Sequence, residues 1–273
     1  MTLPALPSID ARRYAETFAV FLEHSLEYDL MAEEIERVIR HNLDGPLRML
    51  DIGAGTGCVI ERLSRQPTIR LAYYEAFEPN PKHLSGLKSV MAHLDFPYRI
   101  HEEGFSETTP ISGRFDFVLF SHSLYWMINP ATAMRHAAAA LNPGGVAMAL
   151  IQGPYGAHTL FSLFEDQYQR LTPMLQNNRI SSHELVAGLR AAGVEPEVRM
   201  LRTPIDMTEL LDGCHPTELS EFISFLLQLE FSALPRRLQG DIVRHIDGGC
   251  VETDGRLLWY LPNASVLITR ADG

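Results

Sequence analysis

The chain has 273 residues, 46% of them apolar and 21% charged, enough for one large globular domain or one domain with a substantial insertion. A formal net charge of −11 repels phosphate backbones and anionic lipid, so neither a nucleic-acid nor a membrane partner is expected. Cys58, Cys214 and Cys250 are far apart, odd in number and form no CxxC pair, which suggests neither a disulfide framework nor a zinc site.

The start, MTLPALPSIDARRYAE, has no basic segment followed by an apolar core, and no apolar run reaches membrane-spanning length. A cytoplasmic location is expected. Residues 10–42 read as helical, with Tyr14, Phe18, Phe21 and Leu22 at helical spacing and Ile35, Val38 and Ile39 repeating it. Asp44-Gly45-Pro46 breaks the pattern.

From LRMLDI (47–52) onward, strands and helices alternate. The strands read as 47–52, 71–79, 97–103, 115–124 and 146–153, and the helices as 58–66, 81–94 and 130–141, the last closed by Asn142-Pro143-Gly144-Gly145. This predicts an α/β fold: a parallel sheet with helices on both faces and ligands at the carboxyl ends of the strands. The tail differs. Residues 158–194 read as mostly helical, with a Ser N-cap and Gly193 as the stop, and VEPEVRMLRTPIDM as extended. PTELSEFISFLLQLEF and LPRRLQGDIVRHI read as amphipathic helices, and the apolar runs flanking Leu261-Pro262-Asn263 as an antiparallel hairpin.

MLDIGAGTG (49–57) raises the functional question. Gly53, Gly55 and Gly57 are spaced G-x-G-x-G, which is not the G-x-G-x-x-G of dinucleotide sites, and no G-x-x-x-x-G-K-[ST] follows. Glycine turns after strands are common as packing devices alone. Together with Glu78, in AFEPN at the end of the second strand, D-x-G-x-G-x-G resembles the class I S-adenosylmethionine-dependent methyltransferases. The resemblance implies a Rossmann-like seven-stranded methyltransferase sheet flanked by helices, with S-adenosyl-L-methionine as cofactor. The glycines would let the backbone approach the cofactor, and the Glu78-Pro79 corner would accept both ribose hydroxyls, a demand that a carboxylate meets. Asp51 would hold the turn's backbone or the cofactor ammonium. Glu102-Glu103-Gly104-Phe105-Ser106 lies where this class contacts adenine, with Glu103, Gly104 and Phe105 as the contacts, or else forms a solvated acidic loop. SHSLYW (121–126) follows the fourth strand, where methyl is delivered. Ser121 and His122 would face the cofactor there, unless His122 is simply a packed strand-end histidine.

YAETFAVFLEHSLEYDLM, FSHSLYW and LPNASVLI together resemble the histamine N-methyltransferase family over nearly the whole chain. Carried over residue by residue, this implies Glu27 as the acceptor-binding glutamate, Tyr14 and Tyr125 as aromatic walls, Trp126 in place of a second tyrosine, and Asn263 as the C-terminal asparagine. His122 stands where that family has glutamine, and a titratable ring is not equivalent to an amide. Catalysis would then rest on Glu27 holding the acceptor's cationic tail and His122 orienting the nucleophile, or alternatively on His122 as general base. Without the resemblance, Glu27 reads as a helix-surface carboxylate and the two tyrosines as core.

The reading that results is methyl transfer to a small molecule, at an amine or imidazole nitrogen. An O-, S- or C-methyltransferase of a specialised metabolite and a non-catalytic S-adenosylmethionine-binding protein are the alternatives. A monomer is expected. The organisation implied is an N-terminal helical lid (1–44), a cofactor-binding core (45–155), a mainly helical substrate-binding insertion (156–250) and a C-terminal hairpin completing the sheet (251–273).

Overall fold

The computed structural model describes residues 9–155, 157–160, 163–164 and 180–270. Much of the helix expected after residue 158 therefore lies outside the described residues, although 157–160 and 163–164 are helical. The chain forms two compact units, one of Met1–Glu27, Gly153–Arg179 and Arg202–Pro262, the other of Tyr28–Gln152, Ile180–Leu201 and Asn263–Gly273. These divisions do not fall at 44/45 and 155/156, because nearly all of the second helix and the stretch 180–201 belong with the main sheet.

The larger unit is built on a seven-stranded sheet. Its strands are β1 (Leu47–Ile52), β2 (Leu71–Phe77), β3 (Tyr98–His101), β4 (Phe115–Ser121), β5 (Leu141–Gln152), β6 (Glu197–Leu201) and β10 (Asn263–Thr269), in the order β3-β2-β1-β4-β5-β10-β6. β3, β2, β1, β4 and β5 are mutually parallel, and β10 runs antiparallel between β5 and β6. β1 and β4 are buried almost throughout, as expected of central parallel strands covered on both faces. Around them lie α2 (Glu27–Asn42), α3 (Cys58–Ser64), α4 (Pro81–Met91), α5 (Pro130–Ala138) and α6 (Ser182–Ala191). α6 opens on a capping box, in which Ser181 and Glu184 satisfy each other's backbone N–H groups, and Gly193 follows it at φ +77°.

The order reverses between β1 and β4, and this fixes where a ligand can bind. Crossovers from β1 run outward one way to β2 and β3, and the other way to β4 and β5. Their loops therefore part at the carboxyl ends of β1 and β4 and leave a crevice there.

β5 begins at Leu141, not at residue 146. Pro143-Gly144-Gly145 is thus not a closing turn but an irregular stretch inside the strand, where its register against β4 shifts between Phe115 and Phe117. Asn142 Nδ2 donates to Asp116 Oδ1 at 2.6 Å, and Gly144 N–H to the Arg270 carbonyl at 3.0 Å, so the stretch stays bonded despite its glycines.

The smaller unit holds α1 (Ala11–His24), α7 (Pro216–Leu227), α8 (Arg236–Gly248) and a three-stranded sheet ordered β7-β9-β8, from β7 (Pro204–Asp206), β8 (Cys250–Thr253) and β9 (Arg256–Tyr260). Phe18 and Phe21 of α1 pack against Phe222 and Phe225 of α7, with ring centroids 4.7–5.8 Å apart. Arg13 ties the same two regions together through Glu221 and Glu230. Two expectations fail here for one reason, which is pairing with distant segments. Helix 10–42 is broken at Ser25-Leu26, because Ser25 forms a β-bridge with Ile205 and Leu26 N–H donates to the Pro204 carbonyl at 3.2 Å. The runs flanking Pro262 are not a hairpin. β9 pairs with β7 and β8, whereas β10 pairs with β5 and β6, so the hairpin actually present is β8–β9 across Asp254-Gly255.

Candidate active site

Three glycines carry β1 into α3 with positive φ: Gly53 at +80°, Gly55 at +59° and Gly57 at +84°. They are not equivalent. A Cβ on Gly53 would overlap Ser123 Cβ, and one on Gly57 would press on Leu87, but one on Gly55 would meet nothing. Gly53 and Gly57 therefore serve packing, and Gly55 borders open space beside the backbone. Ser123 Oγ donates to the Ile52 carbonyl, locking the loop after β4 to the loop after β1.

Glu78 closes β2 and is buried, only 5% exposed. Its Oε2 accepts the Gly55 N–H and its Oε1 the Asn80 N–H, both at 2.8 Å. The glycine turn and the acidic end of β2 are thus one bonded structure. Each carboxylate oxygen has two acceptor positions, so these two bonds leave capacity for further hydroxyl donors. Pro79 is exposed beside it, and Asn80 caps α4 by accepting the Lys82 N–H.

Asp51 is 1% exposed and takes the Tyr74 hydroxyl on Oδ2 at 2.8 Å. Its Oδ1 is buried with no hydrogen-bond partner among the described residues. Burial pushes this carboxyl up to about 7, the Tyr74 bond pulls it down and the charge of Glu78 raises it further. A buried acceptor left unsatisfied marks a place where a donor is needed.

After β3, Glu103 and Gly104 are exposed, and Phe105 is buried. The Phe105 ring lies edge-on to Phe77 and Phe120, at centroid distances of 5.3 and 6.2 Å, so its side chain belongs to the sheet core.

β4 ends at Ser121, short of residue 124, because His122 takes φ +50° and Leu124–Trp126 form a 3-10 turn. His122 N–H donates to the Leu150 carbonyl at 2.9 Å. Its Nδ1 lies 3.0 Å from the Tyr125 hydroxyl, which in turn accepts the Gln152 N–H at 2.8 Å. Burial pushes the imidazole down to about 4. Trp126 is exposed, and Asn263 is buried at the start of β10, opposite Gln152 in the ladder.

The sheet unit thus gathers Asp51, Gly53, Gly55, Gly57 and Glu78 around the end of β1, and Ser121, His122, Tyr125 and Asn263 around the ends of β4 and β5. Tyr14 and Glu27 belong to the other unit. There Tyr14 packs on Phe18 and Phe225, and Glu27, 3% exposed, follows the α1–α2 break with its N–H 3.2 Å from Ser25 Oγ. Glu27 is therefore buried and not a surface carboxylate. Sequence reasoning missed Tyr74, Ser123 and Gln152. Only Tyr74 left a local trace, as the residue of β2 on the face shared with Asp51.

A family model described as a methyltransferase domain matches residues 22–196. The chain belongs to that methyltransferase family. It is a class I S-adenosylmethionine-dependent methyltransferase. Among curated proteins, it is 25% identical to carnosine N-methyltransferase 2 of Gallus gallus over 76% of this chain and 70% of that protein. It is 24% identical to histamine N-methyltransferase A of Xenopus laevis over 96% of this chain and 97% of that protein. Among solved structures, the YcgJ protein of Bacillus subtilis shares the fold, at a TM-score of 0.56 and 15% identity over 86% of this chain and 97% of that one. Among the described residues, no helix is long and apolar enough to cross a membrane, and no cluster of three or more metal-ligating side chains occurs.

Proposed function

We propose that this enzyme transfers a methyl group from S-adenosylmethionine to a nitrogen of a small molecule, at an imidazole or amine. The observation that carries the reading is the bonded turn of Gly55 and Glu78, because it joins open space at the backbone to a carboxylate with spare acceptor capacity. The donor set fits the cofactor. Glu78 would accept the two ribose hydroxyls, Asp51 Oδ1 would accept an ammonium or N–H, and the Gly55 backbone would lie against the amino acid end. Glu103, Gly104 and the backbone of Phe105, whose ring is packed in the core, would border the adenine, with Pro79 beside the ribose, and Ser121 and His122 would face the reacting end. When bound, this cofactor supplies a methyl group on a sulfonium, an electrophile that needs only an aligned lone pair.

The nitrogen acceptor is supported by the two curated relatives, whose names record N-methylation of histamine and carnosine. Both compounds carry an imidazole, which is largely unprotonated near neutral pH. An aliphatic ammonium with a pKa near 10 would have to lose a proton at a cost of roughly 4 kcal/mol. Tyr14, Glu27, Tyr125, Trp126 and Asn263 are proposed as acceptor contacts, Glu27 for a cationic tail and Asn263 for orientation. The chain's tasks are then alignment and exclusion of water.

The test is a labelled-methyl screen with histamine, other imidazoles, primary amines, phenols and thiols. The reading predicts label in imidazoles or amines, lost in Glu27→Gln and reduced in Tyr14→Ala. Label confined to oxygen, sulfur or carbon acceptors would overturn the nitrogen assignment.

A further inference from the structure

Glu75 lies within β2, 4% exposed, and the donor site described above makes no use of it. Strand alternation puts it on one face of β2 with Tyr73 and Phe77. Its Oε2 accepts the Tyr73 hydroxyl at 2.9 Å, and its Oε1 lies 2.7 Å from Nε2 of His101, the last residue of β3. Burial and the neighbouring carboxylate push the Tyr73 hydroxyl up, so it keeps the hydrogen that it donates. A buried polar pair is weak evidence for stability, because apolar residues of similar volume often pack as well. Its use is then to be sought in what it positions.

His101 grips β2 through both its ring and its backbone. The ring reaches Glu75 and lies flat on Phe77, with centroids 4.2 Å and planes 6° apart, and the carbonyl accepts the Glu78 N–H at 3.0 Å. The ring's other nitrogen, Nδ1, lies 3.8 Å from Glu103 Oε1. β3 has four residues and stands at the edge of the sheet, where β2 is its neighbour. The grip on β2 therefore decides where the chain after β3 goes. That chain is Glu103-Gly104-Phe105, and Phe105 pins its far side edge-on to the same Phe77 ring. Between these two pins, Gly104 has no positive φ, and a Cβ on it would meet nothing. Neither its backbone nor its neighbours demand a glycine, and the open space beside it suits a flat ring laid against the chain.

We propose that His101 is a positioning residue for the nucleoside half of the methyl donor: anchored on Glu75 and Phe77, it sets Glu103-Gly104-Phe105 in register with Glu78, so that adenine and ribose are gripped together. The inference deepens the proposed reading and rests on it for the identity of the ligand. His101 acts through Glu78, whose N–H its carbonyl holds, and through the loop that follows it. The amino acid end of the donor is left to the glycine turn and Asp51.

The experiment is calorimetric titration of the full-length protein with S-adenosylhomocysteine and with 5′-methylthioadenosine, which keeps the nucleoside and lacks the amino acid. In His101→Ala, affinity for both ligands is expected to fall by the same factor, about tenfold or more. His101→Gln should stay within about threefold of wild type, because an amide carries a donor and an acceptor and can answer Glu75 whichever group holds the hydrogen. Urea unfolding shows that the variants are folded. Wild-type affinity in a folded His101→Ala would overturn the proposal, and so would equal losses in the two variants. A loss confined to S-adenosylhomocysteine would do the same, since it would place the effect at the amino acid end. If His101→Ala does not fold, histidine NMR of the wild-type protein decides. The His101 ring signals are expected to shift on addition of 5′-methylthioadenosine, and unmoved signals would overturn the proposal. Failure of both ligands to bind wild type would remove the methyl-donor reading and this inference with it, whereas binding indifferent to His101 removes this inference alone.

Discussion

The two ends of the crevice are built from opposite chemistry. At the ends of β1 and β2, carboxylates hold the fixed N–H groups, Glu78 taking those of Gly55 and Asn80. At the ends of β4 and β5, a phenol and a carbonyl do so, Tyr125 taking Gln152 and Leu150 taking His122. The first end is anionic and suits a ligand with hydroxyls and a positive charge. The second carries hydrogen bonds without charge at neutral pH, which suits an uncharged nucleophile. The contrast teaches that the chain places buried carboxylates at one end of the crevice and neutral hydrogen-bonding groups at the other.

The largest effect is expected at Gly53. Alanine there would overlap Ser123 and sit at φ +80°, so Gly53→Ala should cost about 3 kcal/mol of stability, read by urea unfolding. An unchanged midpoint would mean that the two loops are not packed together. Asp51→Asn tests the anionic end by pH. The native carboxyl, raised to about 7, holds a proton between its unfolded value of 3.8 and 7, where the unfolded chain does not. Without cofactor, stability should therefore fall as pH rises through that window, by an amount on the order of a few kcal/mol. Asp51→Asn should flatten this slope, and an unaltered slope would contradict the assignment.

Gly55→Ala sharpens the contrast within the turn. A Cβ there meets no protein atom, so stability should drop by only about 1 kcal/mol for the positive φ. Affinity for S-adenosylhomocysteine should nevertheless fall about tenfold or more, because the new methyl enters the ligand's space. Equal losses in Gly53→Ala and Gly55→Ala would erase the distinction. The smallest effect is expected at the neutral end. Burial keeps the His122 ring neutral, so His122→Gln exchanges one neutral polar group for another, and kcat/KM should fall about tenfold or less with its pH profile unchanged in shape. Loss of an inflection on the acidic limb would instead identify the ring as a base.

What the sequence disclosed follows the range of the interactions. D-x-G-x-G-x-G and Glu78 are legible because each residue's role comes from a strand end and a turn close by. The alternation of strands and helices was legible too, and with it the sheet. Leu261-Pro262-Asn263 misled because the flanking runs look alike locally, yet one joins β7 and β8 and the other β5 and β6. The break at Ser25 depends on Ile205, far along the chain, and no period within residues 10–42 records it. His122 was visible as a residue, but its contact with Tyr125 was not, since that depends on the 3-10 turn after β4 and on Gln152 at the end of β5.

Calorimetric titration of S-adenosylhomocysteine into the wild-type protein and into Glu78→Gln and Glu78→Ala tests whether the Gly55–Glu78 turn holds the methyl donor. The expected result is micromolar binding to wild type, a partial loss in Glu78→Gln, and a loss of about a hundredfold or more in a folded Glu78→Ala. Wild-type affinity in Glu78→Ala would contradict it, leaving the glycine turn and the end of β2 as packing alone.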